Sequence, residues 1–266
     1  MSSFGTVLLT GAAGKIGLRL REFLRPRIRL RSTDILALDP PRDGEETVRC
    51  DLSDPLAARS VVAGVDAIVH MAGIPREAPI EQIASANLIA TYNVFAAAHA
   101  AGVKRVVFGS TNHVVGFYPV EQSVDASALP RPDTLYGASK VFGEAVARLF
   151  WDKHGIESVC IRIGSALDKP TNVRQLSTWV SYRDLGELVW RSLVAPRVGA
   201  TIAYGVSAGS RCWWNNSAAG HLAFIPKDNA DRFAAEMTES LANDEARGPA
   251  VVFQGGPWAA DGYDAA

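Results

Sequence analysis

"TVLLTGAAGKIGLRLREFL", Thr6 to Leu24, is the stretch on which the fold turns. Five β-rich residues run into a loop with glycine at Gly11, Gly14 and Gly17. A segment with apolar residues at helical spacing follows, and Pro26 stops it, because proline lacks the amide proton a helix interior needs. Strand, glycine loop and helix in this order make the first half of a βαβ unit.

The same alternation continues downstream. "TVRCD" (47–51) and "DAIVHMAG" (66–73) read as buried strands, and "IEQIASANLIATYNVFAAAHAAG" (80–102) as one long helix closed by Gly102. "KRVVFGS" (104–110) and "ESVCIRIG" (157–164) are further strands, separated by a helix over 138–155. Continuous apolar strands between helices imply a parallel sheet covered on both faces, an α/β doubly wound Rossmann fold. Past Gly164 the pattern loosens into a helix (182–195), a strand (201–207) and an amphipathic helix, "NADRFAAEMTESLAN" (229–243). The expectation is one domain over 1–266, with a dinucleotide-binding core over 1–164. Residues 165–266 then form a small C-terminal substrate cap over the carboxyl ends of the strands.

Composition bounds the function. A chain of 266 residues, 48% apolar and 21% charged, can bury a large core, and a net charge of -1 gives no reason to expect a nucleic acid or an anionic membrane as partner. Six arginines between Arg19 and Arg31 cluster on a helix end and the next strand and read as a solvated face. Three scattered cysteines, Cys50, Cys160 and Cys212, suggest neither a disulfide framework nor a metal site. The start "MSSFGTVLLTG" has no basic region, and no apolar run approaches the ~18 residues of a membrane span. A cytoplasmic enzyme is expected, with the last dozen residues mobile or engaged in an oligomer contact.

The glycine loop is the phosphate-binding element of a dinucleotide fingerprint. Gly11 permits the tight turn, Gly14 lets the backbone approach a pyrophosphate, Gly17 allows close helix packing, and the helix N-terminus offers free N–H groups. NAD requires a carboxylate about 20 residues on, at the end of the second strand, and spacing leaves two candidates, Asp34 and Asp39. Lys15 and the arginines keep a 2′-phosphate, hence NADP, in play; the plainer account gives Lys15 only a backbone role. Asp51 suits the adenine amino group or the cap of the next helix. Gly73 suits close backbone approach to the cofactor, and His70 reads as a core histidine.

"LYGASK" (135–140) puts Tyr136 and Lys140 on one face of a helix. Tyrosine, with an ordinary pKa near 10, is a poor base at neutral pH unless a cation favours the phenolate. Lys140 would supply that charge, and the Thr111 hydroxyl at the end of the fifth strand would hold the reacting oxygen for Tyr136 to deprotonate as hydride leaves.

Through "TGAAGKIG", "HMAG", Thr111 and "YGASK" the first 165 residues resemble the short-chain dehydrogenase/reductase superfamily. A narrower resemblance runs almost end to end. "GSTNHVVGFYP", "RPDTLYGASKVFGE", "RIGSALDKPTNVRQLSTW", "WWNNS", "PKDNADRF" and "FQGG", in that order, are similar to the uronate dehydrogenase family, NAD enzymes that oxidise glucuronate and galacturonate at C1. This resemblance implies Tyr136 as base, Lys140 as its electrostatic partner and ribose ligand, and Thr111, Asn112 and His113 as substrate contacts, with Ser165 and Arg174 completing the sugar site. It implies Asp34 rather than Asp39 on the ribose. It also puts Gly11, Gly14, Lys15, Ile16, Gly17, Asp51, Leu52, Met71, Ala72, Gly73 and Ala166 along NAD. The implied product is an aldarolactone and the implied assembly a homo-oligomer; no metal is implied. Two departures stand out: Thr111 and Pro75 both replace an expected serine, and Pro75 keeps neither hydroxyl nor N–H for the sugar.

Each implied sugar contact also has a plain reading: Asn112 as a turn residue, His113 as packing, Ser165 as a strand end, Arg174 as a surface ion pair. Trp213 and Trp214 suit either sugar stacking or cap packing. Competing functions are a dehydrogenase of neutral aldoses, a nucleotide-sugar epimerase or dehydratase, and a dinucleotide sensor without turnover. The 126 residues after Lys140 are few for holding a nucleotide sugar, and a sensor has no need of the Thr111, Tyr136 and Lys140 set.

Overall fold

The computed structural model describes residues 5–237 and 248–264. Seven parallel strands form one sheet: β1 (Thr6–Thr10), β2 (Arg29–Asp34), β3 (Glu45–Arg49), β4 (Ala67–His70), β5 (Arg105–Thr111), β6 (Glu157–Ile163) and β9 (Ala200–Gly205), in the order β3-β2-β1-β4-β5-β6-β9. A small second sheet pairs β7 (Ser165–Ala166) with β8 (Trp179–Val180). The order reverses between β1 and β4, so the loops leaving these strands diverge and open a crevice at their carboxyl ends.

Helices cover both faces. On one side α1 (Lys15–Leu24) and α7 (Tyr182–Val194) bury Leu20, Leu24, Leu188 and Leu193 against Val7, Leu9 and Ile161. On the other, α2 (Pro55–Val62), α4 (Ala90–Ala100) and α5 (Leu135–His154) bury Val61, Phe95 and Phe150 against Leu8, Ile68 and Phe108. Alternate residues of each central strand thus serve opposite layers, which is why the strands read as continuous apolar runs. Gly17 has its reason here, since a Cβ on it would lie 2.1 Å from the Gly11 carbonyl oxygen.

Several sequence expectations need correction. β3 is the sheet edge, displaced two residues from "TVRCD", and Val48 is exposed rather than buried. The arginine cluster is not simply solvated. Arg21 is buried with its guanidinium on Glu45 (2.7 Å), Arg25 reaches the same carboxylate, and Arg31 pairs with Glu46, so β3 neutralises these three, while Arg19, Arg27 and Arg29 are exposed. The long helix over 80–102 is broken into α3 (Ile80–Ile83), a π-helical turn (Ala84–Ile89) and α4. Asn87 in that turn points inward, bonding the Ile74 backbone at N–H and C=O and donating to Ser139 Oγ. Helix α5 starts at Leu135, capped by the Thr134 hydroxyl on the Gly137 N–H (2.9 Å), so Tyr136 lies in its first turn. Of the amphipathic helix, a 3-10 turn (Ala230–Phe233) and a short helix (Ala234–Met237) are present, and the part after Met237 lies outside the described residues.

A buried ion pair fixes α5 to the sheet. Arg162 on β6 donates to both oxygens of Glu144 (3.0 and 2.9 Å), Ser110 adds a third bond to that carboxylate, and the Tyr204 hydroxyl accepts from the same guanidinium. Among the described residues, no helix is long and apolar enough to cross a membrane.

His70 is wholly buried on β4, with the Thr10 hydroxyl 2.7 Å from Nδ1 and the Thr91 hydroxyl 3.2 Å from Nε2. Burial first, then the Lys140 charge, hold it down at about 3. The folded state keeps this ring neutral while the unfolded chain protonates it below about 6.5, so its contribution to stability is lost as pH falls from 6.5 towards 3. Between pH 7 and pH 5 this one group should cost about 2 kcal/mol of stability. Urea midpoints at the two pH values test it: His70→Gln should be less stable at pH 7 yet lose less on acidification, and equal acid losses would show that other groups set the acid limit.

Candidate active site

The glycine loop closes onto the end of β2. Gly11 has φ +70, and a Cβ there would sit 2.7 Å from the Ala72 nitrogen, so only glycine fits between the ends of β1 and β4. Gly14 precedes α1 without any side-chain cap, leaving the first-turn N–H groups of the helix open to an anion. Ile16 packs on the core while Lys15 is exposed. At the strand end, Asp34 accepts from the Ala13 N–H with one oxygen and from the Leu36 N–H with the other, both at 3.0 Å, so its carboxylate lies against the glycine loop. Asp39 is not on a strand: "ILALD" is a loop, with Ile35 and Leu36 exposed. Asp51 does not cap α2 either. It accepts from the Ser53 N–H and hydroxyl, and Asp54 takes the cap.

These features fit a dinucleotide. An uncapped helix start, a glycine that admits close backbone approach and a carboxylate at the second strand end are the three parts its pyrophosphate and ribose require. Leu52 is buried in the core, Met71 and Ala72 give their N–H groups to the Thr10 hydroxyl (3.2 Å each), and Gly73 has φ +139 with Lys140 Nζ nearby. Ala166 lies on β7 beside Ser165, whose hydroxyl bonds that of Thr178 at 2.9 Å.

Thr111, Tyr136 and Lys140 are all buried, and the Thr111 hydroxyl favours the Tyr136 phenolate. Here the electrostatics differ from the expectation. Burial, with a smaller push from Asp133, raises the Tyr136 phenol to about 12. Burial likewise lowers the Lys140 ammonium to about 8. The Lys140 Nζ lies 4.9 Å from the Phe108 ring centre and 6.0 Å from that of Tyr136. Desolvation of both groups therefore outweighs their attraction.

After β5 a single 3-10 turn, Asn112–Val115, begins with the Thr111 hydroxyl accepting from the His113 N–H. Asn112 is buried, and its side-chain Nδ2 has no hydrogen-bond partner among the described residues. Such an orphan costs about 1–3 kcal/mol, which marks a group awaiting a ligand more than a turn former. His113 Nδ1 lies 2.7 Å from Asp133 Oδ2. Arg174, at the start of α6 (Gln175–Thr178), is not in a surface ion pair: its Nε and Nη2 donate to the Gln254 carbonyl, and no carboxylate among the described residues is within ion-pair reach. Burial holds it down at about 10, opposed by the charge of Asp133.

The last dozen residues, expected to be mobile or in an oligomer contact, instead bring a side chain to the site. Trp258, on α10 (Pro257–Ala260), stacks on His113 with ring centres 4.4 Å apart and lies 5.9 Å from Tyr136. A cleft of about 570 Å³ opens beside them, lined by Arg76, Glu77, Thr134, Pro257, Trp258 and Asp261. Pro75 is exposed on the loop that supplies Arg76. Trp214 serves the cap, stacking on Tyr204 (5.3 Å) and donating to Gln254 Oε1. No group of three metal-ligating side chains occurs among the described residues.

Residues 7–167 match the NAD dependent epimerase/dehydratase family. A uronate dehydrogenase of Pseudomonas putida is 44% identical over 97% of both chains. The crystal structure of an Agrobacterium tumefaciens uronate dehydrogenase, a tyrosine-to-alanine mutant complexed with NAD, is 43% identical, with TM-score 0.93 over 96% of this chain and 97% of that one. That of glucuronic acid dehydrogenase from Chromohalobacter salexigens is 39% identical, with TM-score 0.94 over 97% of each.

A buried ammonium at Lys140 with no carboxylate partner among the described residues has a measurable cost. Its folded pKa lies below the unfolded value, so at pH 7 burial of the charged form costs on the order of 3 kcal/mol, a cost relieved as pH rises through 8 towards 10.5. Lys140→Met should therefore raise the unfolding midpoint at pH 7 and give a smaller gain at pH 10. A lowered midpoint at both pH values would mean that the amine is paired in solution.

Proposed function

The chain belongs to the NAD dependent epimerase/dehydratase family and, within it, to the uronate dehydrogenases, and from that premise we propose that it oxidises the C1 hydroxyl of cyclic glucuronate and galacturonate to an aldarolactone, with hydride passing to NAD. The observation that carries the sugar-acid reading is Arg174, a desolvated guanidinium bonded to one carbonyl and, among the described residues, to no carboxylate, with a second unpaired donor in the buried Asn112 amide. A C6 carboxylate satisfies such a cation bidentately; a neutral C6 hydroxyl does not.

The chain's own groups then divide the work. Thr111 and Tyr136 hold the C1 hydroxyl, and Tyr136 takes its proton. Lys140 supports the phenolate and bonds the nicotinamide ribose; Asn112, His113, Ser165 and Arg174 hold the sugar. When bound, oxidised NAD supplies the hydride acceptor and a positive charge that favours the phenolate. That charge matters, because burial alone leaves Tyr136 near 12. Asp34 takes the ribose hydroxyls and disfavours a 2′-phosphate, while Asp51 reads the adenine. Because C1 carries the ring oxygen, loss of hydride and proton gives a lactone, which water opens. Residues 165–266 act as the cap on this core. Three free cysteines agree with a reducing cytoplasm, and exposed Tyr92, Phe142 and Leu149 on α4 and α5 suit a homo-oligomer.

Arg174→Ala should raise KM for glucuronate and galacturonate by roughly 30-fold to several thousand-fold, the scale of truncating one partner of a desolvated charge pair, with NAD affinity little changed. Unchanged uronate kinetics in a folded variant would assign the carboxylate to another group. Tyr136→Phe should bind NAD normally, followed by fluorescence titration, and retain under a tenth of the turnover. A higher residual rate would transfer the base role to another side chain.

A further inference from the structure

We propose that Asp133 is a positioning residue for the sugar site: its carboxylate fixes His113 as the Nδ1–H tautomer and so leaves Nε2 as an acceptor aimed at a sugar hydroxyl. The proposal deepens the functional reading above and rests on it for the identity of the sugar.

Asp133 directly precedes Thr134, the cap of the helix that carries Tyr136, and its side chain is fully enclosed. Two of its three hydrogen bonds go to His113. Oδ2 lies 2.7 Å from His113 Nδ1, Oδ1 accepts from the Thr134 hydroxyl at 3.2 Å, and its own N–H donates to the His113 carbonyl at 3.3 Å. Two glycines from distant segments make room for it. A Cβ on Gly116 would stand 2.1 Å from Oδ2, and one on Gly255 would stand 1.8 Å from it. Any other residue at either place would expel the carboxylate from this position.

An ionised carboxylate only accepts, so the proton it shares with the imidazole resides on Nδ1. In a neutral ring the other nitrogen then carries a lone pair. Among the described residues the ring's hydrogen bond is the one at Nδ1, and the side chain keeps a little exposure. The face of the ring is also fixed, since Trp258 stacks on it at 4.4 Å and 22°. Held at one edge by Asp133 and on one face by Trp258, the imidazole retains a single free function at Nε2. It stands 6.2 Å, centre to centre, from the Tyr136 ring. An acceptor fixed in that place complements Asn112 Nδ2 and Arg174, which only donate. Together the three read the hydroxyl and carboxylate pattern of a sugar acid with both hydrogen-bond polarities.

The direct test is the ¹⁵N spectrum of the full-length wild-type enzyme labelled at histidine. His113 is expected with Nδ1 protonated and Nε2 unprotonated, and an Nε2–H tautomer or a doubly protonated ring overturns the proposal. Asp133→Asn, whose amide can donate as well as accept, should give mixed tautomers. It should also lower kcat/KM for glucuronate about tenfold or more, the scale of one lost hydrogen bond to a charged group, with the NAD dissociation constant unchanged. His113→Phe keeps a ring against Trp258 but lacks Nε2. It should lose a comparable factor, and the double variant should lose no more than the larger single loss. Additive losses, or wild-type kcat/KM in Asp133→Asn, would refute the coupling. The two readings fail separately. A wild-type enzyme without uronate turnover removes the substrate class and with it the sugar hydroxyl, whereas turnover with an Nε2–H His113 removes the Asp133 role alone.

Discussion

One hydroxyl holds the site open. Thr10, the last residue of β1, lies 2.7 Å from His70 Nδ1 and accepts from the N–H groups of Met71 and Ala72, tying the ends of β1 and β4 together where the strand order reverses. With a neutral His70, Thr10 donates to Nδ1, and Nε2–H donates to Thr91 on α4. The crevice floor is thus pinned from sheet to helix by a chain of three side chains, all buried. Gly11 can pass within contact of Ala72 only because that floor is fixed, and the glycine loop and Asp34 are placed from there.

Above the floor the energetics reverse. Away from the crevice the fold pairs its main buried charges, as Arg162 with Glu144 and Arg21 with Glu45 show, each with near-ideal hydrogen bonds. At the crevice it does not. Lys140 and Arg174 are desolvated cations without carboxylate partners among the described residues, Tyr136 is a phenol pushed up by burial, and Asn112 keeps an orphan donor. Unpaired polar groups of this kind destabilise a protein and are concentrated where a ligand will complete them. Their signs describe that ligand: anionic at one end, with hydroxyl groups along its length.

Sequence periodicity carried the sheet well, because strands buried on both faces and helices with one apolar stripe leave unmistakable patterns. It could not choose between Asp34 and Asp39, because "ILALD" has the apolarity of a strand but lies past the register of β2 with β3, which ends at Asp34 and Arg49. It failed also at Asn87, since a π-helical turn inside a helical pattern shifts one side chain inward without changing composition. Thr111, Tyr136 and Lys140 could be singled out from the sequence because the proposed chemistry requires those residue types at those spacings. Asp133 and Trp258 were not. They lie 125 positions apart and acquire meaning only when the C-terminal segment folds back onto His113.

That return is organised by Gln254. Its fully buried amide donates to the Pro119 and Gln122 carbonyls and accepts from the Trp214 indole, while its backbone N–H donates to the Tyr118 carbonyl. With both side-chain atoms satisfied by the core and cap, the backbone carbonyl is held rigidly where Arg174 donates to it. The next three residues, Gly255, Gly256 and Pro257, pass over Asp133 and the Arg174 guanidinium, and Trp258 then lands on His113. The proposed cofactor half of the site is therefore built by the first strands of the sheet, while residues 254–258 buttress two of the proposed sugar contacts, His113 and Arg174. Substrate preference can change through residues 253–258 and the Pro75 loop while the dinucleotide-binding half stays as it is.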